Sequence, residues 1–103
     1  MDAIKKARLE AAGIVFGNAE DFLELTDTER ELVQLRLRLS DKLREQRRKV
    51  HLTQTALAKR IRSSQSRVAK MEAGDASVSF ELLLTGLFAA GASRKEVADA
   101  IAS

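Results

Sequence analysis

Ser64, Gln65, Ser66, Arg67 and Lys70 fall within seven consecutive positions, and each side chain carries a hydrogen-bond donor. Gln65 and the two serines also accept. Groups of this kind suit recognition of a base edge or a phosphate oxygen. They do not suit bond breaking. The chain has one histidine, His51, and no cysteine, so a triad or a metal site has almost no material. Carboxylates are plentiful, but none is paired with a histidine, a cysteine or a Gly-rich phosphate loop. An enzyme is therefore the weakest reading. No catalytic residue, metal or cofactor is assigned. His51 reads as an exposed helix-end residue.

The polar set needs a scaffold, and residues 52–74 supply one. Leu57 and Ile61 are four apart and share one face of a helix over about residues 53–61. Val68 and Met71 are three apart on a second helix over about residues 64–72. Ala58 is small where the two helices must approach. Gln65, Ser66, Arg67 and Lys70 then fall on the opposite, outward side. Two short helices locked by a tight turn form a helix-turn-helix, whose second helix suits the DNA major groove. The competing reading is a helical hairpin that only packs.

The stretches Leu52-Thr53-Gln54-x-x-Leu57-Ala58, Ser64-x-x-x-Val68 and Glu72-x-Gly74 resemble the signature of the Xre/Cro-type, lambda-repressor-like DNA-binding family. The resemblance covers about residues 40–90. It implies an all-α, five-helix bundle acting as a dimer on a two-fold site. It implies that Gln54 opens the first motif helix, touches a phosphate and braces Gln65. Gln65, Ser66 and Lys70 match base-reading positions, with Arg67 a further candidate. Ser64 matches a residue that caps the recognition helix and touches the backbone. Arg47 and Glu72 match a salt-bridged pair that ties the first helix to the end of the recognition helix, and Arg47 also joins the DNA-binding set. Arg62 departs from the pattern, because it stands where the family usually has Gly in the turn. A non-Gly residue at positive φ costs about 1 kcal/mol or a little more.

Charge is uneven, and the unevenness says more than the net +3. Residues 42–70 hold ten Lys or Arg against the single acid Glu45, a local +9. A basic zone coinciding with the motif is the footprint expected for a phosphate backbone. Residues 20–31 hold six acids against Arg30, a local −5. Trp and Tyr are absent, which argues against stacking on single-stranded bases. No apolar run approaches a membrane span, and Met-Asp-Ala-Ile-Lys-Lys lacks the apolar core of a signal peptide. With no cysteine, this points to a cytoplasmic protein.

The 103 residues divide into an N-terminal extension, 1–26, and a helix-turn-helix domain, 27–103. Within the extension, a short helix over 3–11, an apolar run Ile14-Val15-Phe16 and a helix over 19–24 are expected. Thr26-x-x-Glu29 is a capping box that opens a long helix over about 27–49. Leu32, Leu35, Leu39 and Leu43 give it one buried stripe, and Val33 and Leu37 a second. Gly74 permits a left-handed stop. Ser79 caps a helix lined by Phe80, Leu83, Leu84, Leu87 and Phe88, with Leu82 off the stripe as a candidate dimer contact. Gly91 ends that helix. Ser93-x-x-Glu96 is a second box, before a helix fixed by Val97 and Ile101.

The expected partner is double-stranded DNA, read as a pseudo-palindromic operator by a homodimer. The long first helix with its preceding segment Gly13-Ile-Val-Phe-Gly-Asn-Ala-Glu-Asp-Phe-Leu resembles the extension of the HigA-type antitoxins. That likeness implies a small basic ribonuclease toxin as partner and control of a shared operon. A stand-alone or phage-type repressor, and an interaction module that has lost DNA binding, are the alternatives.

Overall fold

The computed structural model describes residues 25–103. The elements expected over 3–24 lie outside the described residues. Thr26 opens the first helix, α1, Asp27–Lys49. Its Oγ1 accepts from the Glu29 backbone N–H at 3.2 Å, and Glu29 Oε1 accepts from the Thr26 N–H at 2.7 Å. Four more helices follow: α2, Gln54–Arg60; α3, Gln65–Glu72; α4, Phe80–Ala89; and α5, Arg94–Ala102. Thr53, Ser64, Ser79 and Ser93 cap them in turn, each accepting a backbone N–H three residues on. Ser93 and Glu96 form the second capping box. Among the described residues there is no strand, so the domain is an all-α five-helix bundle.

The first four helices end in the same way. The residue after each C-cap has positive φ, and the next N–H reaches back to the carbonyl three residues before the C-cap. The reaching bonds are Leu52 N–H to Arg47 O, Ser63 N–H to Ala58 O, Asp75 N–H to Lys70 O, and Ala92 N–H to Leu87 O. This is the Schellman closure, which satisfies carbonyls left over at a helix end. Gly74 and Gly91 supply it at φ 74° and 92° without a Cβ penalty. His51 and Arg62 supply it at φ 56° and 54° with one. Arg62 therefore takes the glycine conformation in the motif turn and bears the strain.

The core draws on all five helices. Leu43, Leu57, Val68, Met71 and Leu87 are wholly buried, with Leu39, Ala58, Val78, Leu83 and Val97 beside them. Burying a side chain of this size stabilises by about 1.5–3 kcal/mol. Gly86 is the close-approach point in α4. A Cβ there would lie 2.7 Å from Met71 Cε and 3.3 Å from Leu43 Cδ1. Arg36 ties α1 to the loop before α4, since its Nη1 donates to the Val78 carbonyl and its guanidinium lies 4.6 Å from the Phe80 ring centre.

The apolar stripes are shorter than their spacing suggests. Leu32, at the start of the expected α1 stripe, is 46% exposed, and Leu37 is 48% exposed. A helix of 23 residues runs about 35 Å, more than twice the length of α4, so among the described residues no single helix covers it from end to end. Phe88 and Ile101 are also exposed rather than core. Successive members of an i, i+4 row rotate by about 40° around the helix. Thus Phe80 and Leu84 stay half-buried while Phe88 turns outward. Leu82 is half-buried against the core cluster.

Replacing Arg62 by Gly should raise stability by about 0.5–1 kcal/mol, the Cβ strain less the chain entropy that Gly adds to the unfolded state. Urea denaturation checks this, and an unchanged or lower midpoint at equal slope would refute the strain assignment.

Candidate nucleic-acid interface

Two caps set the reading surface. The Thr53 hydroxyl accepts from the Ala56 N–H at 3.0 Å, which makes Gln54 the first residue of α2. The Ser64 hydroxyl accepts from the Arg67 N–H at 3.2 Å, which makes Gln65 the first residue of α3. Ala58, Val68 and Met71 press the two helices together beneath the turn. Ser64, Gln65, Ser66, Arg67 and Lys70 all remain exposed on the outer side. Ser64 Oγ lies 3.2 Å from Ser66 Oγ, so one hydroxyl donates to the other at the tip of α3.

Behind this face a chain of hydrogen bonds runs from α1 to the first residue of α3. Arg47 donates from Nε to Glu72 Oε2 and from Nη2 to Glu72 Oε1 at 3.0 Å. Its Nη1 donates to the Leu52 carbonyl at 3.0 Å. Gln54 Nε2 donates to Glu72 Oε1 at 3.1 Å, and Gln65 Nε2 donates to Gln54 Oε1 at 2.6 Å. The Arg47 and Glu72 side chains are only 12% and 2% exposed. Arg47 thus stands behind the recognition helix, held by protein acceptors, and not with the exposed set. Arg44, absent from the sequence-based candidates, adds a donor to the Glu72 carbonyl at 3.0 Å. Its role depends on a partner 28 positions away, which no local pattern reveals.

Burial pushes the Glu72 carboxyl up. The hydrogen bonds from Arg47 and Gln54 and the charges of Arg47 and Arg44 outweigh it and hold the group below its ordinary value. Glu72 is therefore a fixed anion and an acceptor only. The same bond raises Arg47, against the pull of its own burial.

The basic zone divides into two groups. Arg44 and Arg47 serve Glu72, Lys42 pairs with Glu45, Lys49 lies 3.7 Å from Glu96, and Arg60 donates to the Ala89 carbonyl. Arg48, Lys59, Arg62 and Arg67 are exposed, and their side chains make no hydrogen bond or ion pair among the described residues. Lys70 is exposed as well, in the field of Asp75. Within residues 42–70 the unpaired cations lie at the end of α1, on α2 and α3 and in the turn between them, while Arg38, Arg94 and Lys95 are exposed outside that stretch. No group of three or more potential ligands could hold a metal among the described residues. No helix there is long and apolar enough to cross a membrane.

Residues 43–85 match the family described as helix-turn-helix. This segment is a lambda-repressor-like helix-turn-helix. No curated protein and no solved structure matches the chain. The matched helix-turn-helix supports a DNA-binding transcription regulator. The matched segment begins within α1 and ends within α4, so it takes in α2, α3 and Glu72, while Arg36 lies before it and α5 after it.

Two outcomes follow from the ion pair behind the helix-turn-helix. Arg47→Ala should cost about 3 kcal/mol or more, because it strands a buried carboxylate; an unmoved melting temperature would show that the pair carries no stability. Glu72 titrates lower in the folded chain than in the unfolded one. Its contribution is therefore complete above the unfolded carboxylate value, about 4.3, and is lost as pH falls through the folded value. Glu72→Gln should flatten the acid limb of the stability profile, and a wild-type limb in that variant would contradict this.

Proposed function

We propose that the chain is a sequence-specific double-stranded DNA-binding repressor. The observation that supports this most directly is the outward display of Gln65, Ser66 and Lys70 on a recognition helix flanked by unpaired cations. Two forces combine in the reading. Arg48, Lys59, Arg62 and Arg67 neutralise phosphates and supply affinity that falls with salt. Gln54 and Ser64 add polar contacts to the backbone at the ends of the two motif helices. Gln65, Ser66 and Lys70 address base edges, where a good bidentate contact discriminates by about 1–3 kcal/mol.

Eight residues of α3 span about 12 Å and meet only a few base pairs. A homodimer doubles the reading, with recognition helices about one DNA turn apart on a pseudo-palindromic operator. We place the protein in the cytoplasm, where such an operator is found.

At the level of biological role, the chain is proposed as the antitoxin of a type II pair of the HigA type, repressing its own operon. The acids of 20–31 and the apolar residues of the extension favour a small basic ribonuclease toxin as partner. The stand-alone repressor is the second reading. It is favoured by the family match, which covers the DNA-binding segment alone. Affinity capture from the native host separates the two. A co-purifying small basic protein encoded beside this gene supports the antitoxin, and its absence together with an unrelated neighbour supports the stand-alone repressor.

In a gel-shift series, Gln65→Ala should weaken the specific complex about tenfold or more and leave non-specific binding unchanged. Equal losses on both would remove Gln65 from base reading. Arg67→Ala should weaken all sequences alike and lower the salt slope by about one.

A further inference from the structure

Between the recognition helix and α4, residues 73–79 hold no Lys or Arg and a single acid, Asp75. The closure of α3 turns this acid back over the helix. Its N–H donates to the Lys70 carbonyl at 3.1 Å, so Asp75 stands against the last turn of α3, the turn that carries Lys70. Its Oδ1 accepts from the Ser77 N–H at 2.8 Å. Hydrogen bonding by Ser77 holds the carboxyl below its ordinary value, and the charges of Lys70 and Arg36 add to this against its burial. Asp75 is therefore an anion at neutral pH. Neither cation closes an ion pair with it among the described residues. Arg36 is spent on the Val78 carbonyl and the Phe80 ring, and Lys70 is exposed. Stability does not account for the charge. A helix C-terminus disfavours an anion, and the Ser77 N–H needs only an amide or hydroxyl oxygen.

We propose that Asp75 is a specificity-determining residue that keeps Lys70 off the phosphates and so weakens binding to DNA outside the operator. The inference rests on the reading of Lys70 as a base-contacting residue. An ammonium on a flexible stem is a point charge, and it serves a phosphate as readily as a base. The two partners differ in charge. A phosphate drawn to Lys70 brings a full negative charge into the field of Asp75. A guanine edge presents N7 and O6, which are neutral acceptors, and brings none. Asp75 thus penalises one use of Lys70 and spares the other. Discrimination of this kind repels the wrong partner without adding a contact to the right one. Repulsion between Asp75 and the backbone common to every duplex cancels from the ratio of affinities. Asp75 itself touches no DNA in this scheme.

The test is a fluorescence-anisotropy titration of two duplexes over a series of salt concentrations. One is the duplex that the wild-type chain enriches from a randomised double-stranded library, and the other is a scramble of it. Asp75→Asn and Asp75→Ser both keep an oxygen for the Ser77 N–H. Each should tighten the scrambled duplex about fivefold at low salt, because a screened repulsion is removed. Each should also steepen the salt slope of the scrambled duplex by about one, the mark of one more neutralised phosphate. Affinity for the enriched duplex should change by less than about twofold, because Lys70 meets no phosphate there. In a Lys70→Ala chain, Asp75→Asn should no longer tighten the scrambled duplex. Asp99→Asn removes an exposed acid from α5 instead, and should leave the ratio of the two affinities unchanged. Equal tightening of both duplexes overturns the proposal, as does the full gain in the Lys70→Ala chain or the same gain from Asp99→Asn. So does an unchanged ratio in either Asp75 variant with a wild-type urea midpoint. All of these leave sequence-specific binding in place. A wild-type chain that enriches no duplex refutes sequence-specific binding itself, and the proposal with it.

Discussion

A carboxylate that is almost wholly out of water, on the last residue of the recognition helix, is the constraint on which this domain depends. Glu72 stays charged because donors from α1 and α2 converge on it, with Arg47 contributing two and Gln54 one. Isolated helices as short as α3 are marginal in water. Its direction therefore comes from outside, from Val68 and Met71 on the apolar side and from Glu72 on the polar side. The two fastenings act differently. The apolar contacts hold α3 against the bundle without choosing its rotation closely. The ion pair, with its planar two-point geometry, does choose it. Rotation about the axis of α3 is what decides which side chains face outward, so the pair links the interior of the fold to the surface proposed to meet DNA.

The same logic explains why ten cations in one stretch do not make one patch. Guanidinium and ammonium groups that find protein acceptors become struts, as Arg44, Arg47 and Arg60 do. Those that find none remain available for phosphates, as Arg48, Lys59, Arg62 and Arg67 do. A local sum of +9 overstates the field on the reading face, because part of it is neutralised by Glu72 and Glu96 from outside that stretch. The remaining cations surround the motif, which is where diffusional steering and counterion release need them.

Much of this was legible in the sequence where the chemistry is local. Thr26 with Glu29, and Ser93 with Glu96, announce helix starts because the partners lie three residues apart. Gly74 and Gly91 announce helix ends because their freedom at positive φ is intrinsic. The placing of Arg62 at the glycine position of the turn was legible too, from its departure from a resembled pattern. His51 was not, because a left-handed histidine leaves no mark on its neighbours. Gly86 carries no local sign of its role as a contact point, which only the approach of Met71 and Leu43 explains. Leu32, Phe88 and Ile101 fit their helical periods and yet lie exposed. Periodicity tells which face is apolar; it does not tell how far a neighbouring helix extends to cover it. Arg44 and Gln46 act on carbonyls 28 and 44 positions away, at Glu72 and Ala90, which no spacing rule reaches.

The central claim is that the outward side of α3, set by the pair behind it, is what meets duplex DNA. Titration of the isotope-labelled chain with double-stranded fragments at low ionic strength, followed by amide NMR, tests it most directly. The account predicts a complex in which the largest shifts fall on Gln54, Ser64, Gln65, Ser66 and Lys70, with α5 little affected. No complex at low salt, or shifts gathered on α5 with α3 silent, would contradict it.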